Sequence, residues 1–247
     1  MATFQTFRSD GALQFDAGLM TMALIGKGTV FTQARLSGTT TKSSVLVPLP
    51  DLTSPIILAV QSPFYCARAG RYMNGAQAVA HFVSGADVNQ PVNYWLYGQS
   101  NRFPPTGVGL ELFDTAGNLT YSSSRPVATI AAVLDGATQS ATLSAGRSYA
   151  LAAQEWTGRS RNNGQLYKDG RLYEPGDSGN TAGNWTYNND GKLNGTAASG
   201  ATVSTGLVSY DDVARSLGNS RFPPTIPANA TWSRPMGPVL VLDVTGH

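Results

Sequence analysis

One short pattern recurs in this chain, beginning at Phe7 and again at Phe113, and it constrains the fold more than any other feature. Phe7-Arg8-Ser9-Asp10-Gly11-Ala12-Leu13-Gln14-Phe15 matches Phe113-Asp114-Thr115-Ala116-Gly117-Asn118-Leu119-Thr120-Tyr121 in its aromatic, Gly, Leu and aromatic positions. A glycine reaches the positive φ that a tight reversal needs. A Leu followed two residues later by an aromatic sends both side chains to one face of an extended strand. Each copy is therefore expected to be a β-hairpin. Tyr187-Asn188-Asn189-Asp190-Gly191-Lys192-Leu193 repeats the first part of the pattern, and Leu166 to Tyr173 carries Asp169-Gly170 where a two-residue turn belongs.

The rest of the chain agrees with a β protein. Alternating or short apolar segments at Ile56 to Val60, Val92 to Tyr97, Val127 to Leu134, Ser148 to Ala153 and Val239 to Val244 have strand length and end in Ser, Gly or Asn. Hydrophobic residues make up 41% of the chain, enough for a core, and charged residues only 13%. The expected fold is all-β: an antiparallel β-sandwich with a hairpin- and loop-rich excursion and at most one short helix. Residues 1–157 would form the sandwich core and 201–247 the return strands that complete it. Residues 158–200, rich in Gly, Asn, Ser and Thr, would form the excursion and the best candidate for an exposed surface. The helix is expected near Ser209 to Gly218, where Ser209 and Asp212 have capping-box spacing and Gly218 stands at a C-terminal cap.

A second echo is identical over five residues: Arg102-Phe103-Pro104-Pro105-Thr106 and Arg221-Phe222-Pro223-Pro224-Thr225. Paired prolines fix two φ angles and remove two backbone donors, so each copy is a stiff connector that holds its Phe at a defined position. Two readings fit: strand-entry loops of one kind, or a docking surface made by the two corners. Trp156, Tyr167, Tyr173, Trp185 and Tyr187 lie in or beside the polar excursion. They would either stack on sugar rings or fill a small satellite core.

Several function classes have no support in the sequence. Net charge is only +2 with scattered basic residues, which gives no footprint for a row of phosphates, so no nucleic-acid partner is expected. The single Cys66 and two histidines, His81 and His247, offer no zinc-site spacing, and Cys66 is expected to be buried and inert. No cofactor or metal is expected. Gly26-Lys27-Gly28 lacks phosphate-loop spacing, and Asp211-Asp212 has no cation-binding loop around it. Met1 to Arg8 does not read as a signal peptide, and no apolar run is long enough to cross a bilayer as a helix, so the chain is expected to be made and kept in the cytosol.

Val108-Gly109-Leu110-Glu111-Leu112-Phe113, continuing through Gly117-Asn118-Leu119-Thr120-Tyr121-Ser122-Ser123 and followed by Arg125-Pro126-Val127, resembles a hairpin segment of small tail-tip, baseplate or fibre-associated β-sandwich proteins of tailed bacteriophages. Phe4 to Asp16 looks like a second copy, and Val239 to Val244 is similar to the terminal strand of such proteins. The resemblance covers about a third of the chain and describes a hairpin, not a reaction, so no catalytic or metal residue is carried over. It implies a virion component assembled in the host cytoplasm as part of a symmetric homo-oligomer, with other phage tail or baseplate proteins as partners. A host receptor or glycan is the partner implied by the alternative of a fibre or spike module.

One string suggests catalysis. Gly176-Asp177-Ser178-Gly179 is close to the nucleophile motif of chymotrypsin-like proteases, with His81 as base and Asp114 or Asp135 as orienting carboxylate in the right order. Ala78-Val79-Ala80-His81 is superficially similar to the histidine motif of that family, but the fifth position of the serine string is Asn180, polar sequence follows where that family buries a strand, and no disulfide or strand framework flanks His81. The chain is therefore expected to bind and not to catalyse.

Overall fold

The structure is a computed structural model that describes residues 5–7, 13–16, 20–35, 42–136, 139–155, 157–168, 171–172, 183–220 and 232–247. Its strands run β1 (Gln5–Phe7), β2 (Leu13–Asp16), β3 (Met22–Phe31), β4 (Gln33–Ala34), β5 (Ser43–Pro48), β6 (Ile56–Gln61), β7 (Cys66–Asn74), β8 (Gln77–Ser84) and β9 (Pro91–Gln99). A 3-10 turn, Ser100–Arg102, follows. Then come β10 (Glu111–Phe113), β11 (Leu119–Ser122), β12 (Thr129–Leu134), β13 (Ser140–Thr142), β14 (Tyr149–Ala152), β15 (Gly158–Lys168), β16 (Arg171–Leu172), β17 (Gly183–Ser199), β18 (Thr202–Ser220), β19 (Trp232–Arg234) and β20 (Val239–Asp243).

Two antiparallel sheets face each other. One has the order β12-β20-β14-β6-β9-β3; the other follows β13-β18-β17-β7-β8-β5-β4, with β15, β16 and β19 attached beside β17. The all-β sandwich expected from the sequence is what forms. Period-2 alternation places Val45, Val47, Ala78, Ala80 and Phe82 of the larger sheet against Leu58, Val60, Val92 and Leu96 of the smaller, and they make the main inter-sheet core. Leu134, Leu151, Val239 and Val241 meet Ala198 and Val203 in a second.

The smaller sheet also curls towards closure. Ala23 bridges Val127, the Leu24 N–H donates to the Pro126 carbonyl at 2.8 Å, and the Ala128 N–H donates to the Met22 carbonyl at 2.9 Å. The two edges of the sheet thereby meet at one end. The face turned away from the larger sheet then becomes an interior, filled by Ala59, Trp95, Tyr97, Ala150, Leu242 and Val244. Three small or medium residues among them suit so tight a curl.

The duplicated pattern forms two like hairpins, down to the register. β1 and β2 pair Gln5 with Asp16, Thr6 with Phe15 and Phe7 with Leu13, with a bulge between Thr6 and Phe7. β10 and β11 pair Glu111 with Ser122, Leu112 with Tyr121 and Phe113 with Leu119, with the bulge at the corresponding step. Each hairpin is a two-stranded sheet apart from the main ones. The strands expected to flank Asp169-Gly170 pair Tyr167 with Leu172 and Lys168 with Arg171, while the two turn residues themselves lie outside the described residues.

Three expectations fail. Tyr187 to Leu193 does not turn: it runs through the middle of β17, with β15 on one side and β18 on the other, and its glycine marks a bulge between Gly191 and Lys192. A turn would have required its flanks to pair with each other, whereas Asp190 pairs with Arg161 and Asp212. Ser209 to Gly218 is strand and not helix, because β18 is registered against β17 from Thr202 to Ser220. Capping signals are worth about 1 kcal/mol each, too little against a ladder of that length. Lastly, the described residues between 158 and 200 are chiefly strand and not loop. Gly191 and Leu193 to Ala198 are buried in the larger sheet, and Gly195 is small because β7 lies against it, so that a Cβ there would stand 3.2 Å from the Cys66 carbonyl carbon.

Candidate interaction surface

The Phe-Pro-Pro corner at 102–106 follows directly from β9. The 3-10 turn is closed by the Phe103 N–H donating to the Ser100 carbonyl at 3.2 Å, and Phe103 then becomes extended, as a residue before proline must. Its neighbours fix both named side chains. Arg102 Nη2 donates to Asp51 Oδ2 at 3.2 Å, and the Arg125 guanidinium lies 4.2 Å above the Phe103 ring. Asp51 is itself held by the Ser54 hydroxyl and N–H and by the Thr53 N–H, which keep its carboxyl well below the usual carboxylate range.

Beyond the prolines a carboxylate organises the loop. Glu111 Oε1 accepts from the Thr106 N–H at 2.7 Å and the Thr106 hydroxyl at 2.8 Å, and Oε2 accepts from the Gly107 N–H at 3.3 Å. These bonds, the backbone one from Thr106 foremost, depress the Glu111 pKa. Gly107 and Gly109 have φ of 66° and 78°, which a side chain would resist, and a Cβ on Gly109 would run into Ser123 Oγ. The loop between them is thus bound on both sides.

The hairpin that follows is anchored at its turn and its base. Asp114 accepts from the Ala116 N–H at 2.9 Å and the Asn118 N–H at 2.8 Å, and its other oxygen takes the Asn118 amide, the largest cause of its lowered pKa. At the base, the Thr21 N–H and hydroxyl both donate to the Thr120 carbonyl, at 3.0 and 2.7 Å, while Thr21 Oγ1 and Ser100 Oγ lie 2.5 Å apart. Leu119, Thr120 and Ser122 are buried there.

What this scaffold holds outward is apolar. Pro104 and Pro105 are exposed, and Val108, Leu110 and Phe113 are 66%, 52% and 44% exposed. A hydrophobic row carried on a loop with so many fixed contacts is what an interaction surface requires: contact area with little entropy to lose on binding. Sequence reasoning found the corner but missed Val108, Leu110 and Phe113. The available signal was Val108 and Leu110 alternating with Gly107 and Gly109, since glycine at every second position weakens a strand and so disfavours one that would bury them.

The other residues proposed from the sequence fall elsewhere. Arg221, Phe222, Pro223 and Pro224 lie outside the described residues, as do Trp156 and Tyr173. The backbones of Tyr167 and Tyr187 are paired, with Thr186 and Leu166 respectively. Trp185 is 1% exposed, so it is a core residue and no sugar can stack on it. His81 is buried on β8 with Nε2 3.2 Å from Ser44 Oγ and its ring against Tyr72, and burial pushes its pKa down. Ser178 is outside the described residues, and the Asp114 carboxylate is occupied by its own turn. Asp135 takes part in its own turn, its N–H donating to Gln139 Oε1 at 2.9 Å. Cys66 is buried and unpaired, its thiol pushed up to about 11 by burial. Among the described residues no group of three or more His, Cys, Asp or Glu could hold a metal ion, and no helix is long and apolar enough to cross a membrane. Compared with known proteins, the chain matches no protein-family model, no curated protein and no solved structure.

Proposed function

We propose that this chain is a structural component of a bacteriophage tail tip or baseplate, acting in virion assembly and host attachment. In this reading it is a non-enzymatic member of a symmetric homo-oligomer that is assembled in the host cytoplasm and retained in the virion. The observation that carries the reading is the exposed Val108, Leu110 and Phe113, held by Glu111, Asp114 and Arg125 on the very segment that resembles the hairpin of such proteins, with exposed Pro104 and Pro105 just ahead of it. Packing against neighbouring tail proteins would cover that row.

Two measurements test it. Antibodies against the chain should label the tail end of purified particles made by a host that carries the gene; particles free of the chain would refute the assignment. Val108→Asp with Leu110→Asp should leave the isolated chain folded but yield particles with incomplete or inactive tails. Normal particles from that variant would remove the corner from the interface.

A further inference from the structure

A cleft remains that the corner does not use. It has a volume of about 460 Å³ and opens between Lys42 at the start of β5, Tyr65 ahead of β7, and Leu207 and Ser209 on β18. Its size falls in the range of small-ligand pockets.

Tyr65 is built as a platform. A Cβ added to Gly206 would stand 2.6 Å from the ring Cζ and 2.8 and 2.9 Å from the two Cε atoms. Close approach to both Cε atoms, with the phenol oxygen farther away, places the glycine under the face of the ring, not at its edge. The backbone of β18 thus supports one face, the Ser204 hydroxyl donates to the Tyr65 oxygen at 3.4 Å, and the residue remains 37% exposed. Leu207, 38% exposed, continues the apolar surface. Polar groups stand around it: Ser209 is exposed, and the Lys42 ammonium lies 3.5 Å from Asp87 in a pair with side chains 66% and 82% exposed. Such a solvated pair holds its partner weakly, so the ammonium can exchange Asp87 for a ligand.

A supported aromatic face with hydroxyl and ammonium groups at its margin matches a sugar: the C–H face of a pyranose packs on the ring while its hydroxyls bond to the polar groups. A nucleic acid would need several cations for its phosphates, and among the described residues Lys42 is the only cation lining this cleft. We propose that the cleft between Lys42, Tyr65 and Ser209 is a saccharide site in which a pyranose ring stacks on Tyr65. This assignment does not depend on the phage reading.

Saturation-transfer NMR on the intact chain tests it, with methyl glycosides of glucose, galactose, mannose, N-acetylglucosamine and glucuronic acid as probes, and uridine and a neutral tripeptide as other classes. At least one glycoside should receive saturation mainly on the ring C–H protons of one face. Tyr65→Ala should abolish the signal, Tyr65→Phe retain it, and Lys42→Ala weaken binding about fivefold. Ser209→Trp, at an exposed position, should block the cleft without the folding risk of Tyr65→Ala. No transfer to any glycoside, transfer that survives both Tyr65→Ala and Ser209→Trp, or transfer to uridine or the tripeptide alone would each overturn the proposal.

Discussion

Replacing Glu155 by Ala tests how the two sheets are held together at the exit of β14. Glu155 Oε1 accepts from Arg68 Nη2 at 2.8 Å and Arg71 Nε at 2.9 Å, both on β7 of the larger sheet. The two guanidiniums are not equivalent. The Arg68 side chain is only 11% exposed and its Nε is buried without a hydrogen-bond partner, whereas Arg71 is 36% exposed. Breaking a fully buried pair costs about 3–5 kcal/mol because a charge is left behind without compensation. Glu155 itself is 28% exposed, so water would partly replace it. We therefore expect Glu155→Ala to cost about 2–3 kcal/mol, a shift of roughly 1 M in the urea midpoint at an m-value of about 2–3 kcal/mol/M. Arg71→Ala should cost under about 1 kcal/mol, since it removes an exposed partner and relieves repulsion on Arg68. Replacing Arg68 and Glu155 together by Met and Leu should recover most of the loss. Equilibrium urea unfolding followed by tryptophan fluorescence measures all three variants against the parent. A Glu155→Ala midpoint within error of the parent, or equal losses for Arg71→Ala and Glu155→Ala, would refute the buried-charge argument.

Other expectations rest on single features. Cys66 should resist a thiol reagent at pH 8 in the folded chain and react fully in urea; rapid reaction of the folded chain would contradict its burial and raised pKa. Burial lowers the folded pKa of His81, so the unfolded chain takes up the proton first. Stability that is intact above about pH 6.5 should fall as pH drops through 6.5 towards the folded value, and His81→Gln should flatten that slope in urea titrations at pH 7.5 and 5.5. Gly195→Ala should destabilise by about 1–3 kcal/mol through its clash with Val208 and the Cys66 backbone, read from the same unfolding curves. Val108→Asp with Leu110→Asp should leave the unfolding midpoint within about 0.5 kcal/mol of the parent, because neither side chain is buried.

Legibility of the fold in the sequence followed the range of the interactions concerned. Hairpins at Phe7 to Phe15 and Phe113 to Tyr121 could be read because turn and flanking strands are contiguous, and even the duplicated bulge follows from the duplicated spacing. Tyr187 to Leu193 carries the same letters but has partners far away on both sides, and those decided its conformation. The same holds for Ser209 to Gly218, where local capping signals met a long ladder. The buried stretch from Leu193 to Ala198 was hidden for another reason: its small and polar residues resemble a loop, yet Gly195 at its middle is small because β7 and Val208 press on it. At the candidate surface, Phe103 and its prolines were visible as a repeat. Arg125 stacked on Phe103, Glu111 gathering Thr106 and Gly107, and Tyr65 resting on Gly206 were not, since each joins residues whose proximity only the folded chain creates.

The way the sheets end bears on how such a chain can associate. An open edge strand offers unpaired N–H and carbonyl groups to any other strand, and proteins that must pair selectively blunt it. Among the described residues the strands that end the main path of each sheet are blunted, whereas β18 beyond Ser204 is covered by β17 on one side only. β13 and β4 span only Ser140–Thr142 and Gln33–Ala34, β12 carries a bulge between Ile130 and Ala132, and β3 has exposed Lys27 between Gly26 and Gly28. The edges of the smaller sheet also meet at Ala23 and Val127. Backbone addition is therefore disfavoured at those four strands. The exposed apolar residues Val108, Leu110 and Phe113 lie on the β10–β11 hairpin and the loop that enters it, outside both main sheets, where they can be covered without disturbing either of them.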